Sequence, residues 1–274
     1  MLDEIKKKIA KLKNEKINRF FSNVREYDFE EYTEHLKNKK FALECVENLF
    51  NGDIFILRNT LDKTFIDNSI NKLQQFYTNN SPISPKILEG CENGFYISNN
   101  TETGYRTVDR SFYFFSWNQD KLKIYNEVLK IYKKLKVLNG LSPNDVSNNT
   151  PKKGIVERLH VIHYPLGGGE ISKHTDPVNI SIINHGIFGS EFGTDYDAGG
   201  FYLISADGKK VEIDQKVNKG DSVIFFPGLI HGVDPVYLGD KKLDTKSKFG
   251  RWYFNFQNVE THEVKNRQVT LAVE

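Results

Sequence analysis

The chain has 274 residues, 38% of them hydrophobic and 27% charged, and its 38 Lys and Arg are almost balanced by 36 Asp and Glu, leaving a net charge of +2. Such a chain can build a sizeable core, as one domain or as a core with an added layer. It has no apolar run approaching the roughly 20 residues of a membrane-spanning helix, and no basic stripe of the kind that grips nucleic acid. Its two cysteines, Cys45 and Cys91, do not make a disulfide framework. The N-terminal stretch MLDEIKKKIAKLKNEKINRFF is too charged for a secretory signal. The expectation is a cytoplasmic protein, monomer or homodimer, that acts on a small molecule and meets neither nucleic acid nor membrane.

In chain order, residues 4–21 are expected to be helical, with Ile5, Ile9 and Leu12 at helical spacing. A second helix is expected over 30–49, carrying Phe41, Leu43, Val46 and Leu49, then a strand over 54–57 and a helix over 62–78 that stops at Asn-Asn-Ser-Pro. Residues 80–118, with Gly104 and an aromatic run at 112–117, read as irregular. A strongly periodic helix follows over 120–137, with Leu122, Tyr125, Val128, Leu129 and Tyr132 on one stripe. The Asn-, Gly-, Ser- and Pro-rich segment 139–154 is the best boundary. It separates residues 1–150, a helical support region with a few strands, from residues 151–274. In the second part short apolar runs (155–164, 178–183, 200–205, 210–213, 222–226 and 252–256) alternate with Gly- and Asp-containing turns. That grammar predicts a mainly β fold, a jelly-roll core packed against the N-terminal helices, in one structural domain.

The chemistry centres on His174-Thr-Asp176. Two residues apart on an extended segment, the imidazole and the carboxylate share one face. A second histidine from a neighbouring strand would complete a facial triad, which holds one side of an octahedral metal and leaves the other side open; this points to non-haem Fe(II). The triplet alone is unspecific. Its context is not: it follows the Gly-rich turn after Tyr164, His231 follows the very apolar run 222–226, and Arg251 opens an alternating strand. A cation buried in a β-barrel needs a carboxylate partner, and a dicarboxylic cosubstrate would supply one.

Taken in order, these pieces resemble the 2-oxoglutarate/Fe(II)-dependent oxygenase superfamily, in particular its prolyl-hydroxylase-like and phytanoyl-like members. The resemblance covers residues 158–257. It runs from the R-x-H-x-x-x-Y-P-x-G strand through His174-x-Asp176, residues 179–184, the Asp197-x-Gly-Gly turn and the Lys219-Gly-Asp turn to His231-Gly-Val-Asp-Pro-Val. It implies a double-stranded β-helix core, iron held by His174, Asp176 and His231, and 2-oxoglutarate and O2 as cosubstrates. The far carboxylate of 2-oxoglutarate would meet Arg251, with Lys241 as the alternative, and a hydroxyl from Tyr164, Tyr253 or Ser222. The implied reaction is hydroxylation of a C–H bond in a small molecule, such as an amino acid or natural-product intermediate, with release of succinate and CO2. The intact Asp176 favours hydroxylation over halogenation.

Other residues are open between roles. Arg158 and His160, on the face of Tyr164, are candidate substrate contacts, as are Asn179, Ser181, Arg106 and Arg110. The loop 186–197 is long for a hairpin and lies next to the metal strand, so it is a second candidate for substrate contact. His185, His35 and His262 read as turn or surface residues. The alternative function is a cupin-like jelly roll, a metal-binding isomerase or sugar-binding protein without redox chemistry, which leaves Arg251 without a role.

Overall fold

The computed structural model describes residues 1–15, 17–83, 86–100 and 106–273; Gly104 and Tyr105 lie outside them. The N-terminal part supplies α1 (Leu2–Asn14), β1 (Val24–Asp28), α2 (Phe29–His35), α3 (Lys39–Phe50), β2 (Ile54–Arg58) and α4 (Lys63–Asn79). It continues with β3 (Gly94–Asn100), β4 (Thr107–Phe115) and α5 (Tyr125–Leu135). The C-terminal part supplies β5 (Ile155–Pro165), β6 (Gly169–Thr175), β7 (Asn184–Phe188), β8 (Ala198–Ile204), β9 (Lys210–Glu212) and β10 (Ser222–Phe225). It ends with β11 (His231–Tyr237), β12 (Gly250–Glu260) and β13 (Leu271–Ala272).

Local chemistry explains where the helices differ from expectation. The first helix stops at Asn14 rather than running to residue 21, and the helix expected over 30–49 is two. Asn38 breaks it, because its side chain accepts from the backbone N–H groups of Lys40 and Phe41 and starts α3 afresh. Asp28 and Asp62 cap α2 and α4 in the same way. The periodic helix α5 begins later than residue 120, at Tyr125, after Asp120 has taken up the N–H groups of Ile124, Tyr125 and Asn126.

The strands form one rolled sheet in the order β1-β2-β10-β7-β12-β5-β4-β6-β11-β8-β9, with β3 on β4 and β13 on β6. This is the jelly roll the sequence predicts, and its two walls face each other across a pocket lined by β4, β5 and β12 on one side and β6 and β11 on the other. Strands from the first half are integral to it: β2 pairs with β10, and β4 joins β5 to β6. The helices cover the outside. Tyr125 and Tyr132 of α5 lie 5.3 and 5.0 Å from Phe256 of β12, and Phe50 at the end of α3 lies 4.7 Å from Phe226. Burial of this aromatic and aliphatic surface is the main term holding helices to sheet.

Two stretches depart from the expected pattern. Residues 80–118 are not irregular throughout, because β3 and β4 make a full antiparallel hairpin there. Residues 178–183 are not a strand, since side chains take the backbone groups a ladder would use. Asn139 Oδ1 accepts from Ile182 N–H, and Ser181 Oγ donates to Ile183 C=O. The strand starts only at Asn184, and the loop after Phe188 packs away from the pocket, where Ser190 Oγ donates to Gly250 C=O.

Gly186 of β7 shows how tightly the walls are set. A Cβ there would fall 1.9 Å from the Tyr253 ring of the paired strand β12. Gly186→Ala is expected to lower stability by about 1–3 kcal/mol, the usual effect of overpacking a core, measured by urea unfolding.

Candidate metal centre

Strands β6 and β11 are antiparallel neighbours, and their register sets His231 directly opposite His174. The two rings lie 4.2 Å apart between centroids. Asp176, just past the end of β6, completes the group: its Oδ1 is 3.8 Å from His174 Nε2 and its Oδ2 is 3.5 Å from His231 Nε2. One donor atom from each of the three residues lies within 4.8 Å of the others. Each imidazole is held by its other nitrogen. His174 Nδ1–H donates to Ser172 C=O and His231 Nδ1–H to Leu229 C=O, both at 2.8 Å. A carbonyl only accepts, so both rings are fixed in the tautomer that presents an Nε2 lone pair to the shared centre, as metal-ligating histidines require.

The carboxylate is equally supported. Asn184 Nδ2 donates to Asp176 Oδ2 and Thr270 Oγ1 to Asp176 Oδ1, each at 2.9 Å. Asn255 Nδ2 donates in turn to Asn184 Oδ1 at 3.0 Å, so a relay Asn255–Asn184–Asp176 crosses from β12 to the centre. Burial alone would raise the Asp176 pKa, but the neighbouring His231, His174 and Thr270 outweigh it and hold the group ionised, below the usual carboxylate range. Burial, helped by the His231 charge, lowers the His174 imidazole to about 4, which keeps it neutral. The Nε2 lone pairs that the two Nδ1–H···O=C bonds present, beside an ionised carboxylate, are the donor set that a divalent metal needs. The residues therefore fit an Fe(II) ion.

The centre opens into a cavity of about 560 Å³. Its far wall is a grid in which β4, β5 and β12 run side by side. The rows are Tyr164–Arg251, Ser111–Ile162–Tyr253, Tyr113–His160–Asn255 and Arg158–Gln257, and Asp109 of β4 lines the same cavity. Arg251 lies almost fully buried at one end. Its Nε and Nη2 meet Asp214 Oδ2 and Oδ1 at 2.5 and 3.1 Å, and its guanidinium carbon lies 5.1–5.6 Å from the Phe188, Tyr253 and Tyr164 rings. Burial works against its charge, but the Asp214 carboxylate outweighs this and raises its pKa above the ordinary value. The buried carboxylate that Arg251 demands is thus within the chain itself. Asp214 Oδ2 also accepts from Tyr196 Oη at 2.5 Å. Gly200 makes room for it, with a φ of +107° and no Cβ to strike the carboxylate 2.3 Å away.

The other candidate residues separate by strand parity. Arg158, His160, Tyr164, Asn179 and Ser181 line the cavity. On β4 the pocket face is Thr107, Asp109, Ser111 and Tyr113, so Arg110 points the other way. There it bonds His163, Gln74 and Ser247 C=O and lies 4.4 Å from the Tyr77 ring centroid. Arg106 is exposed and ion-paired with Glu170 at 2.6 Å. Lys241 is exposed beside the Phe249 ring, and Ser222 Oγ faces Thr60 outside the cavity. Sequence reading missed Asp109, Ser111, Tyr113, Asn184, Asn255, Asp214, Arg267 and Thr270. The alternation of Thr107 to Phe114 was a usable signal, masked by Arg110 on its apolar side.

No protein-family model matches the chain, and no curated protein sequence matches it. Solved structures do. A Trichoplax adhaerens prolyl hydroxylase, solved with a hypoxia inducible factor oxygen degradation domain peptide fragment, is 15% identical with a TM-score of 0.50, covering 81% of this chain and 90% of that one. A Pseudomonas putida prolyl-4-hydroxylase is 13% identical at a TM-score of 0.47, covering 77% and 94%. A full-length Neurospora crassa protein in complex with alpha-KG is 16% identical at 0.48, covering 88% and 86%. At these identities the likeness to the Trichoplax structure establishes the fold.

Two outcomes test the geometry. Asn184→Leu is expected to weaken Co(II) binding about 10- to 100-fold, the usual effect of losing a hydrogen-bond partner of a ligand, measured by titrating the visible Co(II) spectrum. The second concerns Asp109, whose carboxyl burial pushes up to about 7, with the Ser111 hydroxyl pulling partly back. The unfolded carboxyl ionises near 4. The native state therefore keeps a proton that the unfolded chain has lost, and stability falls as pH rises from about 4 to about 7. Asp109→Asn should match the wild type at pH 4 and exceed it above pH 7, by urea unfolding at each pH.

Proposed function

We propose that the chain is a non-haem iron(II), 2-oxoglutarate-dependent oxygenase that hydroxylates a C–H bond of a small molecule. The observation that carries this is the convergence of His174, Asp176 and His231 on the wall of a deep cavity, with both imidazoles held to present Nε2. Two imidazoles and one carboxylate on one side of a metal, with the other side facing open space, are the donor set of iron oxygenases. Bound iron and 2-oxoglutarate would supply the activation of O2, leaving an alcohol, succinate and CO2.

The protein's own part is orientation and water exclusion. Asn184 and Thr270 fix the rotation of the Asp176 carboxylate. Phe201 and Phe225 stand edge-on to the His231 ring at 6.0 and 4.9 Å and keep that flank dry. Asp214 occupies one edge of the Arg251 guanidinium and aims it, and Arg251 with Tyr164 would receive the far carboxylate of the cosubstrate. The segment 267–270 lines the cavity and continues into β13 on β6, which favours a small molecule over a chain segment as substrate.

Under anaerobic conditions, Fe(II) and 2-oxoglutarate together should produce a weak visible charge-transfer band, and in air the protein should release succinate. Asp176→Ala should lose both. Arg251→Lys should raise the 2-oxoglutarate KM about ten- to a hundredfold, the value of a charge-assisted fork contact. Metal binding without either band or succinate would favour the cupin-like alternative.

A further inference from the structure

The cavity contains a second guanidinium, and among the described residues no carboxylate lies within ion-pair distance of it, the Asp176 carboxylate acting on it only from further off. Arg158 of β5 lines the pocket on the face of His160. Among the described residues it makes no ion pair, and its Nε is buried without a hydrogen-bond partner. Its guanidinium carbon lies 5.0 Å over the Tyr113 ring, which is itself stacked on His160 at 4.7 Å. Arg267, also on the cavity wall, repels it. Arg267 spends its donors on Glu260 C=O and His262 rather than on a carboxylate. Arg251, by contrast, has one edge of its guanidinium neutralised by Asp214. A buried guanidinium N–H left without an acceptor is costly, and carboxylate or phosphate oxygens are what its fork fits.

Strand geometry places Arg158 relative to the metal. The Asp176 carboxylate is tied through Asn184 to Asn255, so the centre belongs to the Asn255–His160 row. Arg251 is four residues from Asn255 along β12, about 13 Å, and Arg158 pairs with Gln257, two residues the other way, about 7 Å. The two cations thus sit on opposite sides of the centre, about 20 Å apart along the strands. A five-carbon dicarboxylate held at Arg251 does not reach Arg158.

We propose that Arg158, with Arg267 beside it, binds an anionic group of the substrate, a carboxylate or a phosphate, at one end of a small molecule whose oxidised carbon lies over the metal. Calling the ligand a substrate rests on the oxygenase reading above; the anion site itself does not. The flat faces of Tyr113 and His160 line the path between anion and centre, and the Asn255 Oδ1, buried without a partner, offers an acceptor to a donor on the substrate.

The test uses the full chain without added metal and the probes hexanoate, hexyl phosphate and hexanamide, with binding followed by ligand-observed NMR. The acid or the phosphate ester should bind the wild type at least tenfold more tightly than the amide, and the stronger of the two identifies the group. Arg158→Met should abolish that preference, Arg158→Lys should keep part of it, and circular dichroism should show both variants folded. If Arg158→Met does not fold, the Arg158→Lys comparison decides. Equal binding of acid and amide, no binding of either anion, or an unchanged preference in the folded variants overturns the proposal. Since the readout needs neither iron nor turnover, failure of the oxygenase reading would show separately, as a missing charge-transfer band and missing succinate.

Discussion

The structure turns on one register. Antiparallel pairing of β6 with β11 sets His174 opposite His231, and every other feature of the centre follows from holding that pair in place. A slip of one residue in either strand would send that strand's imidazole to the outer face and part the pair, because side chains alternate along a strand. The register is held on both sides: β11 is also paired with β8 over residues 231–234, and β6 carries β4 and β13. The imidazole–carbonyl bonds at Ser172 and Leu229 then convert strand position into ring orientation.

Charge in the cavity is distributed by the same logic. Arg251, Arg158 and Asp109 all face the interior, but among the described residues only Arg251 of the three has an ion-pair partner. Its pairing with Asp214 requires the bare backbone of Gly200 and the hydroxyl of Tyr196, so a Gly-rich turn, a 3-10 turn and a strand end cooperate to keep one cation buried. A buried pair of this kind contributes little net stability, but removing one partner is expensive. Its value here is direction, since Asp214 leaves the other edge of the guanidinium turned toward the pocket wall. Asp109, on the wall of the same cavity, accepts from the Ser111 hydroxyl and is pushed by burial toward neutrality.

How much of this was legible beforehand depends on whether the signal was local. His174 and Asp176 were readable because period-two spacing alone puts them on one face, and the strand of Arg251 was readable from its alternation. The helix caps at Asp28, Asn38 and Asp62 are residue types that the sequence displays, but at Asn38 the apolar period runs on past the cap and masks it. The hairpin β3–β4 was read as irregular because its inward face is polar and its outward face carries Arg110, which inverts the usual sign of the pattern. Arg106 and Arg110 then looked like anion binders, whereas one is spent on Glu170 and the other fastens the loop before β12 through Ser247. The run 178–183 has the composition of a strand, and the side chains of Ser181 and of Asn139, the latter distant in sequence, take the backbone groups that a ladder would use.

By itself, then, the sequence determined the class of fold, the two neighbouring candidate metal donors and the identity of the third, since these depend on short-range periodicity and on the order of turns. Tertiary structure alone decided which cations are free. Asp214 neutralises Arg251 from 37 residues away, Asn184 at the start of β7 and Thr270 just before β13 reach Asp176, and among the described residues no carboxylate forms an ion pair with Arg158. Whether a charge is satisfied is a property of what folds against it, and that depends on contacts between distant segments that no local pattern encodes.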